Sequence, residues 1–251
     1  MISIVCVYNN KGILDNYLIE SLKNQTMNYE LILIDNTQSQ FKSAAKALNY
    51  GGRKAKGDYL IFVHQDVMLS SDSWLERAQK IVDKLPNLGI AGIAGKSESK
   101  SGVISNIKHS VPPKLAGKIQ IKNSTNVQTL DECLVIIPSS KFNILQFDEK
   151  VCDDWHLYVV DYCLSIKKLG FDVYVIPIFL YHRSPGYSFS EKYYVTLTKV
   201  LKKHKKHYKL IYTTMGDWST MFPLNIQRQR IWHLAIAGVK FLLEKSGGGQ
   251  K

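Results

Sequence analysis

The chain has 251 residues, 45% of them hydrophobic and 22% charged, which is enough apolar side chain for a substantial core and too much for wholesale disorder. Its formal net charge of +12 calls for anionic partners (nucleic acid, lipid headgroups or nucleotide-linked substrates) without choosing among them. Met1 leads straight into a strand with no signal peptide, and no stretch reaches the roughly 18 apolar residues that span a bilayer, so a cytoplasmic protein is expected.

Ile2 to Val7 is an apolar β run that ends in the polar turn Tyr8-Asn9-Asn10-Lys11-Gly12. Leu14, Leu18, Ile19 and Leu22 then mark one face of an amphipathic helix, with Asp15, Glu20 and Lys23 opposite. Leu31 to Ile34 reads as a second buried strand closed by Asp35-Asn36, and Phe41 to Ala47 as a helix broken by Asn49-Tyr50-Gly51-Gly52. Tyr59 to Val63 has the length and the β-branched and aromatic content of a strand buried on both faces, and it runs into His64-Gln65-Asp66. Strands separated by helices imply right-handed parallel units. Their polar ends therefore fall side by side on the sheet edge where ligands bind in open α/β sheets.

Further along, Ser71-Asp72 caps a helix to Leu85, and Gly89 to Ala94 is a strand of small residues. Residues 96–126 carry little periodicity, with Val103-Ile104 and Lys118 to Lys122 as weak strands. Asp131-Glu132-Cys133 leads into the strand Leu134 to Pro138. Asp153 or Asp154 caps a helix from about His156 to Leu169, which Gly170 ends, and the strand Asp172 to Pro177 delivers the chain to Tyr181-His182. The remainder reads as helical: a basic segment Glu191 to His207, then Asn225 to Lys245 with Ile231, Leu234, Ala235, Val239 and Leu242 apolar. Cys6, Cys133, Cys152 and Cys163 are far apart and form no Cys-x-x-Cys pair, the pattern of reduced core residues.

In this order, the pieces resemble the inverting family 2 glycosyltransferases of the GT-A fold, and more narrowly a subgroup whose metal motif is His-Gln-Asp. The match lies in Tyr8-Asn9-Asn10, Ile34-Asp35-Asn36, Asn49-Tyr50-Gly51 with Ala55-Lys56-Gly57-Asp58-Tyr59-Leu60, His64-Gln65-Asp66, Asp161-Tyr162-Cys163-Leu164 with Lys168-Leu169-Gly170-Phe171, and His182. It covers roughly residues 2–186, and the order of the pieces makes it specific. The resemblance implies an α/β fold with a Rossmann-like, mostly parallel central sheet flanked by helices. Residues 1–187 would form the GT-A domain, with 1–95 for the nucleotide sugar and 96–187 for the acceptor. A helical extension, 188–245, and a flexible tail, 246–251, would follow. Mn2+ or Mg2+ would bridge the donor's phosphates as a Lewis acid, with Asp66 the first ligand and His182 the second.

The resemblance also places Tyr8, Asn10, Asp35, Asn36 and Gln65 at the donor, a uridine nucleotide being favoured. Ordinary turn and capping chemistry explains the loop residues among these equally well. The base is the gap. Placing Asp161 on the last residue of the family's Glu-Asp-x-Asp leaves Tyr158 and Val159 where the Glu-Asp pair belongs. Asp161 and Asp154 are then the candidates, each with a rival reading: a helix-surface or dipole role for Asp161 and an N-cap for Asp154. Asp131 and Glu132 either shape the acceptor pocket or make a strand-entry turn.

The partners expected are a nucleotide-sugar donor and a glycan or lipid-linked acceptor. Basic C-terminal helices suit a peripheral contact at the inner face of a membrane, while Ile231, Trp232 and Leu234 suit core or dimer contacts. A nucleotidyltransferase of the same architecture would need a Gly-rich phosphate loop, and Tyr8 to Gly12 offers one glycine. The remaining alternatives are a nucleotide-binding protein that has lost its activity and a nucleic-acid-binding protein using Lys199 to Lys209.

Overall fold

The computed structural model describes residues 1–184 and 190–228. Of the expected last helix, Asn225 to Lys245, only residues 225–228 are described, and they are helical; Ile231, Trp232 and Leu234, the tail 246–251 and most of the boundary residues near 187 lie outside the described residues.

Strand β1 (Ile2–Tyr8) is followed by short helical segments α1 (Lys11–Leu14), a π turn (Asp15–Ile19) and α2 (Glu20–Leu22), then β2 (Tyr29–Asp35), α3 (Ala44–Gly52), β3 (Tyr59–His64), β4 (Val67–Leu69) and α4 (Trp74–Val82). The middle of the chain holds β5 (Leu88–Gly92), β6 (Ala94–Lys96), β7 (Ile104–Ser105), β8 (Ile107–His109), β9 (Lys114–Leu115), β10 (Thr125–Asn126) and β11 (Thr129–Leu130). Then come β12 (Leu134–Pro138), α5 (Ser139–Ile144), α6 (Tyr158–Lys168), β13 (Asp172–Val175), β14 (Leu180–His182), α7 (Glu191–His204), β15 (Leu210–Thr213) and β16 (Gly216–Ser219).

The central sheet has the order β10-β13-β5-β12-β3-β1-β2. β1, β2, β3, β5 and β13 run one way, while β12 and β10 run against them. Alternate residues along each strand enter opposite cores. Val5, Leu60, Phe62, Val135 and Ile137 pack with α3, α5, α6 and α7. Ile4, Cys6, Ile61, Val63 and Ile136 pack with α1, α2 and α4. Because β3 and β2 flank β1 in parallel register, the polar ends at Tyr8, Asp35 and His64 do share one edge.

The structure departs from the sequence reading at several elements. β2 is an edge strand, paired only with β1 and with Leu33 40% exposed, where a buried strand was expected. α3 runs on through Asn49, Tyr50 and Gly51 and ends at Gly52, so the break expected from Asn49 onward comes only after the glycines. A Cβ on Gly51 would meet Val5 Cγ1, and one on Gly52 would meet Phe142 Cζ, each at 2.5 Å, so glycine serves close packing here. Residues 210–219 form the hairpin β15–β16 where helix was expected. Leu210-Ile211-Tyr212-Thr213 alternates, with Ile211 and Thr213 buried, and fully buried Trp218 faces the core from the return strand. The hairpin docks beside β11 and β6, where Tyr212 N–H donates to Gln128 Oε1 at 2.7 Å and Lys96 Nζ lies 2.7 Å from Asp217 Oδ1.

Candidate active site

β3 ends at His64, and the chain turns through Gln65 and Asp66 into β4. β4 pairs antiparallel with β14 so that His182 lies opposite Val67, and Arg183 N–H donates to Asp66 O at 3.0 Å. This pairing brings a residue 116 positions downstream, His182, beside Asp66. The ligand atoms of His64, Asp66 and His182 all lie within 4.8 Å of one another.

The chemistry of the trio suits a divalent cation. His182 Nε2 lies 3.2 Å from Asp66 Oδ1, yet this buried nitrogen makes no hydrogen bond of acceptable angle. The imidazole nitrogen and the carboxylate oxygen stand close enough to share a cation. Burial alone would raise the Asp66 carboxyl, but the nearby imidazoles of His182 and His64 hold it below the usual range. Burial, assisted by His182, pushes His64 down to about 4, which leaves a neutral ring with a free lone pair at neutral pH. The His64 Nε2 atom lies 3.3 Å from Tyr158 Oη, a hydrogen bond that orients the ring as outer partners of metal-binding imidazoles do.

Two cavities meet at the trio. The first, about 500 Å³, is lined by Tyr8, Asn9, Asn36, Lys42, Gln65 and Lys192, and the second, about 460 Å³, by Asp131, Glu132, His156, Tyr193, Thr214 and Met215. His64, Asp66 and Trp155 border both.

Tyr8, Asn36 and Gln65 line the first cavity, and hydrogen bonds within its walls hold several of the expected donor residues in place. Gln65 Oε1 accepts from Asn9 N–H at 3.1 Å and Asn10 N–H at 3.0 Å, and its Nε2 donates to Asn9 Oδ1 at 2.7 Å. Its amide thus pins the loop after β1 to the end of β3. Asn10 caps α1 by accepting from Ile13 N–H at 3.0 Å and leaves the wall to Asn9. Asn36 clamps the next loop through Phe41, accepting its N–H at 2.8 Å and donating to its carbonyl at 3.2 Å. Tyr8 Oη donates to Asp35 Oδ2 at 2.9 Å, and Thr37 N–H binds Asp35 Oδ1 at 2.8 Å, which lowers the Asp35 carboxyl.

Neither of the carboxylates considered as base lines a cavity. Asp161 is 1% exposed and bonds Lys203 Nζ at 2.7 Å and His204 Nε2 at 2.8 Å, on the face of α6 turned toward α7. Asp154 does not cap α6, whose N-cap is Leu157 in the left-handed region at φ 66. Its Oδ1 accepts from Trp155 N–H at 2.6 Å, and its Oδ2 lies 3.5 Å from Lys192 Nζ. Sequence reasoning named the His-Gln-Asp motif without giving His64 a ligand role; the turn through Gln65 and Asp66 is what brings the two side chains together. That reasoning also passed over His156 and the hairpin tip.

A mostly parallel sheet whose strand ends hold a metal-ligand trio between two cavities is the architecture of the GT-A fold. Solved structures agree. S. aureus TarS 1-349 in complex with UDP-GlcNAc matches with TM-score 0.56 at 14% identity, over 80% of this chain and 66% of that one. Mannosyltransferase PcManGT from Pyrobaculum calidifontis, in complex with GDP-Man and Mn2+, matches with TM-score 0.55 at 14% identity over 83% of this chain and 65% of that one. GalNAc-T7 with UDP, GalNAc and Mn2+ matches with TM-score 0.58 at 14% identity, covering 82% and 47%. The chain thus spans about two thirds or less of these proteins, which extend beyond the shared fold. Among curated protein sequences no match is found. A family model described as a glycosyltransferase-like family matches residues 2–210, and the chain belongs to that family. Among the described residues no helix is long and apolar enough to cross a membrane.

Proposed function

We propose that the protein is a metal-dependent, inverting glycosyltransferase that moves a sugar from a nucleotide-diphosphate donor to a hydroxyl of a glycan or lipid-linked acceptor. The observation that carries this reading is the trio His64, Asp66 and His182 standing where the two cavities meet. These three residues would hold the cation, and the cation supplies neutralisation of the charge that builds up on the leaving diphosphate. Two imidazoles beside one carboxylate favour Mn2+ over Mg2+, which prefers an all-oxygen shell.

The chain's own residues supply the rest. The first cavity takes the donor, with the Tyr8–Asp35 pair at one side and Lys42 and Lys192 as cations for the phosphates. Trp155, 37% exposed and bordering both cavities, gives a sugar ring an apolar face to rest on. The acceptor hydroxyl enters from the second cavity and attacks the anomeric carbon, and the carbon–oxygen bond to the diphosphate breaks in one step with inversion. A uridine nucleotide is the favoured donor by the family resemblance.

The basic helix gives little support to a nucleic-acid surface. Lys199 pairs with Asp153 at 2.6 Å, Lys203 pairs with Asp148 at 2.9 Å and with Asp161, and His204 is fully buried. Incubating the protein with UDP- and GDP-sugars in Mn2+, in Mg2+ and in EDTA tests the proposal. Nucleotide release in the presence of metal and its loss in EDTA are expected. Failure of every nucleotide to bind in a metal-dependent way contradicts the proposal, and binding with no transfer favours a protein that has lost its activity.

A further inference from the structure

On the proposed reading of a one-step displacement, a side chain must take the proton from the attacking hydroxyl, and the carboxylates nearest to hand are engaged elsewhere. Asp161 is locked to Lys203 and His204. Asp131 lines the second cavity, but its Oδ1 accepts from Cys133 N–H at 3.0 Å and its Oδ2 from Thr214 Oγ1 at 3.1 Å. Tyr158 and Val159 provide no carboxylate at the start of α6. Glu132 also takes backbone N–H groups from the start of α6, but one of its oxygens is left over. It lines the same cavity as His64, Asp66 and His182, and its Oε1 is shut off from bulk water without a hydrogen-bond partner. An orphaned buried carboxylate oxygen costs stability unless a bound group completes it.

We propose that Glu132 is the general base of this site, its unpartnered oxygen accepting the proton of the acceptor hydroxyl. In the step, the hydroxyl O–H bond breaks and its proton passes to Glu132. The hydroxyl oxygen forms its bond to the anomeric carbon, and the bond from that carbon to the diphosphate breaks with its electron pair, releasing the nucleoside diphosphate. The hydrogen bond to the substrate forms only when the acceptor is seated, as is usual for catalytic carboxylates seen without substrate.

The surroundings make Glu132 a stronger base than an exposed carboxylate. Burial and the neighbouring Asp131 push it up to about 8, against the backbone N–H groups of Val159, Leu157 and Tyr158 that pull it down. The other titratable groups around it are the Tyr158, Tyr193 and Cys152 side chains, each raised by burial, and His156 shares its cavity. His156 is the rival base, but burial lowers its basicity.

The test uses water as acceptor and UDP release from UDP-sugars with Mn2+ as the readout, comparing wild type, Glu132→Gln and His156→Asn. Glu132→Gln is expected to release UDP at least about a hundredfold more slowly, with its affinity for UDP and Mn2+ within twofold of wild type. The wild-type rate should rise with pH as Glu132 ionises, and that rise should vanish in the variant. An unfolded chain ionises this carboxyl near pH 4.5, whereas the folded one holds its proton to about 8. Wild-type stability therefore falls as pH rises between these values, and Glu132→Gln should be spared that fall. A variant that releases UDP within threefold of wild type overturns the assignment, as does one that keeps the rising limb. So does the hundredfold loss appearing in His156→Asn instead. A wild type that binds UDP and Mn2+ but hydrolyses none of the sugars also counts against Glu132, since a base beside the anomeric carbon would activate water. Absence of metal-dependent nucleotide binding altogether sinks the glycosyltransfer reading itself.

Discussion

Asp66→Ala is expected to lower metal-dependent turnover by about a thousandfold or more while leaving the melting temperature within a few degrees of wild type. Asp66 is the one anionic member of the trio, since burial keeps the His64 ring neutral and His182 is an imidazole. Without it, the trio has no anionic ligand to balance a dication, and the several kcal/mol of leaving-group stabilisation that a bound metal supplies is lost; each 1.36 kcal/mol is about a factor of ten in rate. The fold loses little, because Asp66 makes its structural bond through its backbone carbonyl to Arg183 N–H, which survives the change. UDP release and thermal unfolding measured on the same preparation separate the two effects. Turnover within tenfold of wild type would refute the assignment of Asp66.

Asp161→Ala should do the opposite. Asp161 is 2% exposed at its side chain and holds Lys203 Nζ at 2.7 Å and His204 Nε2 at 2.8 Å, and Lys203 also reaches Asp148. The group ties α6 to α7. Removing one member of a buried pair costs roughly 3–5 kcal/mol because its partner is left uncompensated. Lys203 is 28% exposed and regains some hydration, which places the cost at the lower end, about 3 kcal/mol. For a chain of this size that corresponds to a fall of roughly 6–12 °C in melting temperature. His204 adds a pH dependence. Burial holds its imidazole below the usual range, against the pull of Asp161. The unfolded chain therefore takes up that proton first, and stability declines as pH falls below about 6.5. Turnover of the folded variant below its melting temperature should stay close to wild type, whereas a specific loss of rate with unchanged stability would return Asp161 to the site.

The parts of the molecule that were legible in the sequence are those with strong local signals. Three apolar runs ending in polar residues match β1, β2 and β3 and the edge they share; for β1 and β3 this follows from burial, since buried parallel strands are apolar along their length. Leu134 to Pro138 likewise matches β12 residue for residue. The illegible parts depend on contacts between distant segments. Gly51-Gly52 looks like a break until Val5 and Phe142 are seen pressing on it. The start of α6 carries no glycine to mark the left-handed Leu157, so the sequence suggested an aspartate cap that does not form. The β15–β16 hairpin lacks a strong turn pair at Thr214-Met215 and follows a basic helix, which masked its alternation. In the site, Asp66 was marked by its strand, whereas Asp161 was chosen by its place in a motif and proves to face α7. Glu132 was placed in the sequence only as shaping the acceptor pocket or making a strand-entry turn, since its orphaned oxygen is a property of the packed cavity.

The proposed cation between the two cavities would be held by His64, Asp66 and His182 together. Crystals grown with Mn2+ and UDP and measured at the manganese absorption edge should show one strong anomalous peak within bonding distance of Asp66 and His182, with His64 beside it and the diphosphate on its far side in the first cavity. UDP bound with no such peak, or with the metal held by other residues, would contradict this placement.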